Sequence, residues 1–235
     1  MKQNIQVLLI ISISLFLYIF PSLSHEIKKE EIEKIVKNYL IQNPEFIQST
    51  LEDYKKTVEI NKKNDAIALL RDIKNPGFFN EKSDITIYEF FDYNCGYCKS
   101  VVEPIMSVIS EDKKVDFVFV EFPILSKSSY IAATAALAAE RQGLYNNFHL
   151  SLMKIRGRIT EDIIFEIAKK TGLNTNQLKN DMKNPEIENK LKKNREIAKL
   201  LNLNGTPAFI VGDIIYPGAL QKNNLKQMIK NFRDK

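Results

Sequence analysis

Glu89 to Ser100 reads EFFDYNCGYCKS and holds both cysteines of the chain, Cys95 and Cys98. Just upstream, Ile85 to Phe91 (ITIYEFF) is a β-branched and aromatic run that predicts a buried strand. Just downstream, about Gly96 to Ser110 predicts a helix, with Pro104 as a kink. The cysteines therefore stand where a strand becomes a helix. Residues three apart at a helix start face the same side. Free backbone N–H groups and the helix dipole stabilise an anion there. This spacing predicts Cys95 as the nucleophilic, low-pKa thiolate and Cys98, a turn deeper, as the resolving thiol.

Two other uses of the pair are weaker. A structural staple closing a four-residue ring adds only roughly 2 kcal/mol by loop entropy, whereas a stabilising bridge joins distant segments. A tetrahedral metal site needs four ligands, and neither a second CxxC nor a histidine pair exists; the only histidines are His25 and His149. Soft Cu(I) accepts two thiolates alone, so copper handling or chaperone-like binding stands as the alternative to redox exchange.

Working outward, Val115 to Phe122 (VDFVFVEF) reads as a second strand. Strand, helix and strand in this order imply a βαβ unit with parallel pairing. An alanine-rich helical stretch follows, SSYIAATAALAAERQG, stopped by Gly143 and continued from Leu144 to Lys154. Thr160 is positioned to N-cap TEDIIFEIAKKTG, which ends at Gly172, and Asn184-Pro185 starts another helix. Strands return as PAFIV and IIYPG, joined by Gly212-Asp213 as a tight hairpin. Gln221 to Phe232 predicts a closing helix. Pro207, in Gly205-Thr206-Pro207, opens the late strand, where proline suits an edge or a start.

Toward the N-terminus, Asn75-Pro76-Gly77 marks a boundary. Before it, Glu26 to Gln42 predicts a helix whose Ile32, Ile35, Val36, Tyr39 and Leu40 form one apolar stripe. Asn43 is expected to N-cap a second helix from Pro44 to about Ile73, with Ile47, Leu51, Tyr54 and Val58 in a heptad-like seam. Lys2, the apolar run Val7 to Phe20, and Ser22 and Ser24 before His25 have the layout of a secretory signal peptide, residues 1–24. That run is shorter than the ~20 residues of a spanning helix. The mature chain is then expected from about residue 25, in the periplasm, where disulfides persist.

Composition is that of an ordinary globular chain. Of 235 residues 44% are hydrophobic and 27% charged, with formal net charge +5. Lys, Glu and Asp are interspersed, which argues against the concentrated basic face of a nucleic-acid binder.

EFFDYNCGYCK, GTPAF, the hairpin IVGDIIYPGA and the helical FHLSLMKIRGRITEDIIFEIAKKTGL together resemble the DsbA family, over roughly Asn75 to Phe232. These are exported thiol–disulfide oxidoreductases. The resemblance implies an α/β, thioredoxin-like fold over residues 75–235, with an inserted helical domain at about 126–203 and an N-terminal helical extension at 25–74. It implies no cofactor, cysteine-containing exported proteins as substrates, and a membrane redox partner that reoxidises or reduces the enzyme. By the same resemblance Cys95 is the nucleophile, Cys98 the buried resolving cysteine, and Pro207 the cis-proline packed against the disulfide. Thr206 is the residue whose backbone pairs with substrate, and Glu89 the buried acid that passes protons to Cys98. His149 falls in the insertion as a structural residue. The helices over 26–73 resemble the oligomerising stalk of ScsC-type relatives, which act as isomerases or in copper tolerance. Two departures bear on direction. The best-known oxidases carry proline and histidine between the cysteines, where this chain has Gly96 and Tyr97, and they carry valine where it has Thr206. Loss of the cation at position 97 implies a milder oxidant.

Overall fold

The computed structural model describes residues 28–234. The expected leader, residues 1–24, and the expected helical residues Glu26 and Ile27 lie outside the described residues. The chain divides into two units between Lys56 and Thr57. This division lies inside a helix, upstream of the Asn75-Pro76-Gly77 breaker.

The first unit holds α1 (Lys29–Gln42) and the start of α2 (Pro44–Asp72). No residue of α1 is buried. Its stripe is present as periodicity predicts, but Ile32, Ile35, Val36 and Tyr39 stand exposed and Leu40 is half-covered. Ile47, Leu51 and Tyr54 of α2 are exposed as well. Asn43 differs from its expected role. Its side-chain amide and backbone N–H both donate to the Tyr39 carbonyl, at 2.8 and 3.0 Å, so it closes the end of α1.

The second unit is built on a five-stranded sheet in the order β1-β3-β2-β4-β5. Strand β2 (Ile85–Phe91) pairs in parallel with β3 (Val115–Glu121), Ile85 opposite Val115, as the strand–helix–strand order predicts. Strand β4 (Ala208–Val211) runs antiparallel to β2 and forms the expected hairpin with β5 (Ile214–Pro217) through Gly212. Strand β1 (Gly77–Phe78) is not legible in the sequence, being two residues long. It lies antiparallel to β3 at the sheet edge. A Cβ on Gly77 would fall 2.2 Å from the Phe117 carbonyl oxygen, so only glycine lets the strands approach.

Helix α3 (Gly96–Glu111) connects β2 to β3 and runs on through Pro104. The insertion between β3 and β4 holds α4 (Lys127–Glu140), α5 (Tyr145–Met153), α6 (Glu161–Lys170), α7 (Thr175–Asp181) and α8 (Pro185–Leu200). Thr160 and Asn184 cap α6 and α8 as expected. The seven-residue α7 is an addition, capped by Asn174. Helix α9 (Lys222–Arg233) closes the chain.

Both sheet faces are covered, because β2 and β3 are apolar at odd and even positions alike. On one face Ile85, Ile87, Phe91, Phe117, Phe119 and Phe209 join residues of α3 to α6 and α9. On the other, Phe90, Val120 and Ile210 pack on Ala66, Ile67 and Leu70 of α2 and Ile197 and Ala198 of α8. Strand alternation places Glu89 on the first face, in line with Ile85, Ile87 and Phe91.

Candidate active site

Cys95 is the N-cap of α3, with extended backbone (φ −79°, ψ 114°). Its sulfur accepts a hydrogen bond from the Cys98 N–H at 3.3 Å, satisfying one of the donors a helix leaves open at its start. Both cysteines are free thiols, and Cys98 is fully buried beneath the first turn. Hydrogen bonds from the Cys98 thiol and from the Cys98 and Tyr97 N–H groups hold the Cys95 pKa down to about 6, against the opposing effect of burial. Burial pushes the Cys98 thiol far up, and the hydrogen bond to Cys95 and the charge of Glu89 push the same way. One of two identical groups is thus an anion at neutral pH and the other a proton-holding thiol.

The third component arrives from far along the chain. The Cys95 sulfur lies 3.2 Å from the Thr206 carbonyl oxygen, across 111 positions of sequence, and donates to it when protonated. The Thr206–Pro207 peptide bond is cis. Pro207 is buried and its carbonyl accepts from the Gly218 N–H at 2.9 Å. Glu89 is 1% exposed, so it is no surface acid. Burial, and then the negative Cys95 sulfur, raise its pKa to about 8, and its Oε1 has no hydrogen-bond partner among the described residues. Among the described residues no group of three or more His, Cys, Asp or Glu is arranged to hold a metal ion.

The description DSBA-like thioredoxin domain matches residues 86–230. The chain belongs to this family. As a DsbA-like protein it is a thiol–disulfide oxidoreductase. It is similar to the Probable disulfide bond formation protein D of Bacillus anthracis, 26% identical over 151 residues covering 58% of this chain and 70% of that protein. A thioredoxin-like oxidoreductase from Silicibacter pomeroyi DSS-3 is 38% identical, with a TM-score of 0.66 over 68% of this chain and 92% of that one. The catalytic domain of Proteus mirabilis ScsC is 26% identical, with a TM-score of 0.66 over 75% and 98% of the two chains.

The DsbA-like site has a polar frame that the CxxC motif does not announce. Asp92 is buried and accepts from the N–H groups of Asn94, Ile124 and Leu125 at 2.7, 2.8 and 2.9 Å. It fixes the cysteine turn to the segment after β3. Asn94 donates to the hydroxyls of Ser126, Ser128 and Ser129 at 2.9–3.1 Å and accepts from the Ile159 N–H at 2.7 Å. Both residues lie inside EFFDYNCGYCKS. Polar side chains between a buried strand and a CxxC are the signal that could have found them.

A second buried polar group ties the same DsbA-like turn to the insertion. Tyr93 and Tyr145 both donate to Glu121 Oε1, at 3.0 and 2.8 Å. Tyr93 Oη also lies 3.0 Å from His149 Nδ1. Tyr93 thus joins Glu121 to His149, and the His149 tautomer sets which of Tyr93 and His149 donates. Burial lowers the His149 pKa to about 3, keeping the ring neutral, and raises Glu121 well above the carboxylate range. His149 packs edge-on against Phe91 and nearly parallel to Tyr145, in keeping with its expected structural role.

Proposed function

We propose that the chain is an exported thiol–disulfide exchange enzyme acting on cysteine-containing proteins through Cys95 and Cys98. The observation that carries this reading is the opposed state of the two thiols: Cys95 anionic at a helix N-terminus beside Thr206, Cys98 buried and protonated beneath it. In the reducing direction the Cys95 thiolate attacks a substrate disulfide. The S–S bond breaks, one substrate thiolate leaves, and a mixed disulfide forms at Cys95. Cys98 then gives up its proton, attacks the Cys95 sulfur, and releases the second substrate thiol. Two electrons pass from the pair to the substrate with the one proton that Cys98 held, and the first substrate thiolate takes its proton from water. Oxidation is the reverse. Glu89, buried on the same sheet face, is the acceptor and donor for the Cys98 proton. Thr206 and Pro207 form the wall against which substrate backbone lies.

A Cys95 pKa of about 6 is less depressed than the ~3.5 of the strong oxidase. One pK unit in the thiolate corresponds to about 30 mV in a two-electron couple, so we expect a potential roughly 50–100 mV more reducing than about −120 mV. That range suits isomerisation as well as oxidation. The leader-like layout of residues 1–24 supports export, and a membrane redox partner resets the pair. The exposed stripes of α1 and α2 support self-association of residues 26–73, which would present several dithiols to one misbridged substrate at high effective concentration.

The test is the equilibrium potential of the Cys95–Cys98 pair, with insulin reduction and scrambled-ribonuclease refolding, using Cys95→Ser as control. Turnover that survives Cys95→Ser sinks the assignment. Glu89→Gln should slow release from the mixed disulfide while leaving its formation fast. If both steps are unchanged, Glu89 is not the proton carrier.

A further inference from the structure

The loop between α5 and α6 reads Lys154-Ile155-Arg156-Gly157-Arg158-Ile159-Thr160. Ile159 is fully buried, while Lys154, Arg156 and Arg158 are exposed. A charge run of this kind is ordinarily a solvated surface. Here its placement is unusual, because two hydrogen bonds fasten the loop to the cysteine turn. Lys99 Nζ donates to the Gly157 carbonyl at 2.8 Å, and the Ile159 N–H donates to Asn94 Oδ1 at 2.7 Å. Lys99 directly follows Cys98, and Asn94 directly precedes Cys95. Arg158 is therefore held between two residues bonded to opposite sides of the nucleophile's turn.

The charge around this turn is one-sided. From Gln142 to Thr160 there is no Asp or Glu, and none from Leu203 to Gly212, the segment carrying Thr206. Exposed Lys127 follows the Ile124–Leu125 segment that Asp92 binds. Asp92, Glu89 and Glu121 are all buried. The exposed acids that adjoin these segments are Glu161 and Asp162 at the start of α6, Glu103 on α3, Glu140 before Gln142 and Asp213 after Gly212. Apolar contact surface is also present: Tyr97 is 73% exposed and Leu125 54%.

Resting on the exchange reading above, we propose that Lys99, Lys127, Arg156 and Arg158 form a basic rim that selects substrates whose reacting cysteine is flanked by acidic residues. Cations within a Debye length of the sulfur, about 10 Å at 0.1 M salt, raise the local concentration of an anionic peptide. Such steering accelerates encounter by roughly tenfold to a thousandfold and fades with ionic strength. Arg also pairs carboxylates through two parallel N–H donors, which gives the rim geometric preference as well as attraction.

The test uses the full-length protein, reduced, with three synthetic peptides. Each has one cysteine blocked as a 2-thiopyridyl disulfide, flanked by two Glu, two Gln or two Lys. Cys95 attacks the peptide sulfur, the S–S bond breaks, and thiopyridine leaves with the electron pair; its release is followed optically. At low salt the Glu peptide should react roughly tenfold or more faster than the Lys peptide, with the Gln peptide between. The ratio should fall toward one in high salt and in the double variant Arg156→Gln, Arg158→Gln. The double variant Lys113→Gln, Lys230→Gln makes the same change in net charge at the far end of α3 from Cys95 and should keep the ratio. Equal rates for the three peptides at low salt, or a ratio unchanged by the arginine variant, overturn the rim while leaving the exchange chemistry standing. Release from no peptide overturns the exchange reading itself, and the rim with it.

Discussion

Residues 28–56 and residues 57–234 are made of the same side chains put to opposite use. In the first unit Ile32, Ile35, Val36 and Tyr39 repeat at helical spacing and all face water; Ile35 is 64% exposed. In the second, Ile85, Ile87, Phe91 and Phe209 are shut between sheet and helices. Isolated helices of this length are marginal in water, and apolar area left open contributes nothing to holding them. Among the described residues the stripe has no cover, whereas the apolar side chains of the second unit are packed within it.

The largest expected contrast is in stability. Phe91→Ala, which removes a ring packed edge-on against Tyr93, Phe119 and His149, should cost about 3–5 kcal/mol in urea unfolding. Ile35→Ala should leave that same transition within about 0.5 kcal/mol. Equal losses would erase the distinction between the units. Next comes assembly. Ile32→Asp with Val36→Asp removes two apolar side chains worth about 1.5–3 kcal/mol each on burial, so association should weaken more than about a hundredfold by light scattering. A wild-type protein that is monomeric at micromolar concentration would show the stripe to be uncovered in solution too.

Third, Tyr93→Phe leaves His149 Nδ1 and Glu121 short of a partner inside the core and should cost about 1–3 kcal/mol. Tyr54→Phe, on an exposed ring of the first unit, should cost nothing measurable.

Fourth, alkylation of Cys95 should rise through about pH 6. The sign of the linked stability follows. The folded pKa lies below the ordinary thiol value of 9.0, so the thiolate stabilises the reduced protein fully above pH 9, and this gain is lost as pH falls through about 6. Denaturation of the reduced protein against Cys95→Ser across that window checks it. A constant difference would mean that the helix start does not hold the anion.

The smallest effects are surface ion pairs. Arg233 bridges Asp84 and Asp112, tying α9 to the start of β2 and the end of α3, and its loss should cost about 1 kcal/mol. The exposed Lys29–Glu33 pair at 3.7 Å should be worth about 0.3 kcal/mol or less.

Much of the catalytic unit is legible in the amino-acid sequence. ITIYEFF, VDFVFVEF and the Gly212-Asp213 hairpin are strands with the expected partners, because β-branched runs and tight-turn residues act locally. Thr160 and Asn184 cap the helices that their positions predict. What sequence pattern misses is short or cooperative. Strand β1 is two residues and exists because Gly77 can approach Phe117. Helix α7 has one cap and one buried leucine. Asn43 could serve the helix before it or the one after it, and local pattern does not rank the two. The Tyr93, Glu121, Tyr145 and His149 group joins three separate elements, so no spacing along the chain announces it.

The strand–CGYC–helix junction, and with it the asymmetry between Cys95 and Cys98, is written into local pattern, since a helix start stabilises an anion wherever it occurs. Local pattern also determines which helices are amphipathic. Long-range packing alone brings the Thr206 carbonyl to Cys95, seals Glu89 in the core and bonds the 154–160 loop to both sides of the cysteine turn. The physical reason is range. Propensity, capping and periodicity act over a few residues, whereas burial and proximity depend on which distant segment the chain brings back, and that is settled by the packing of both sheet faces at once.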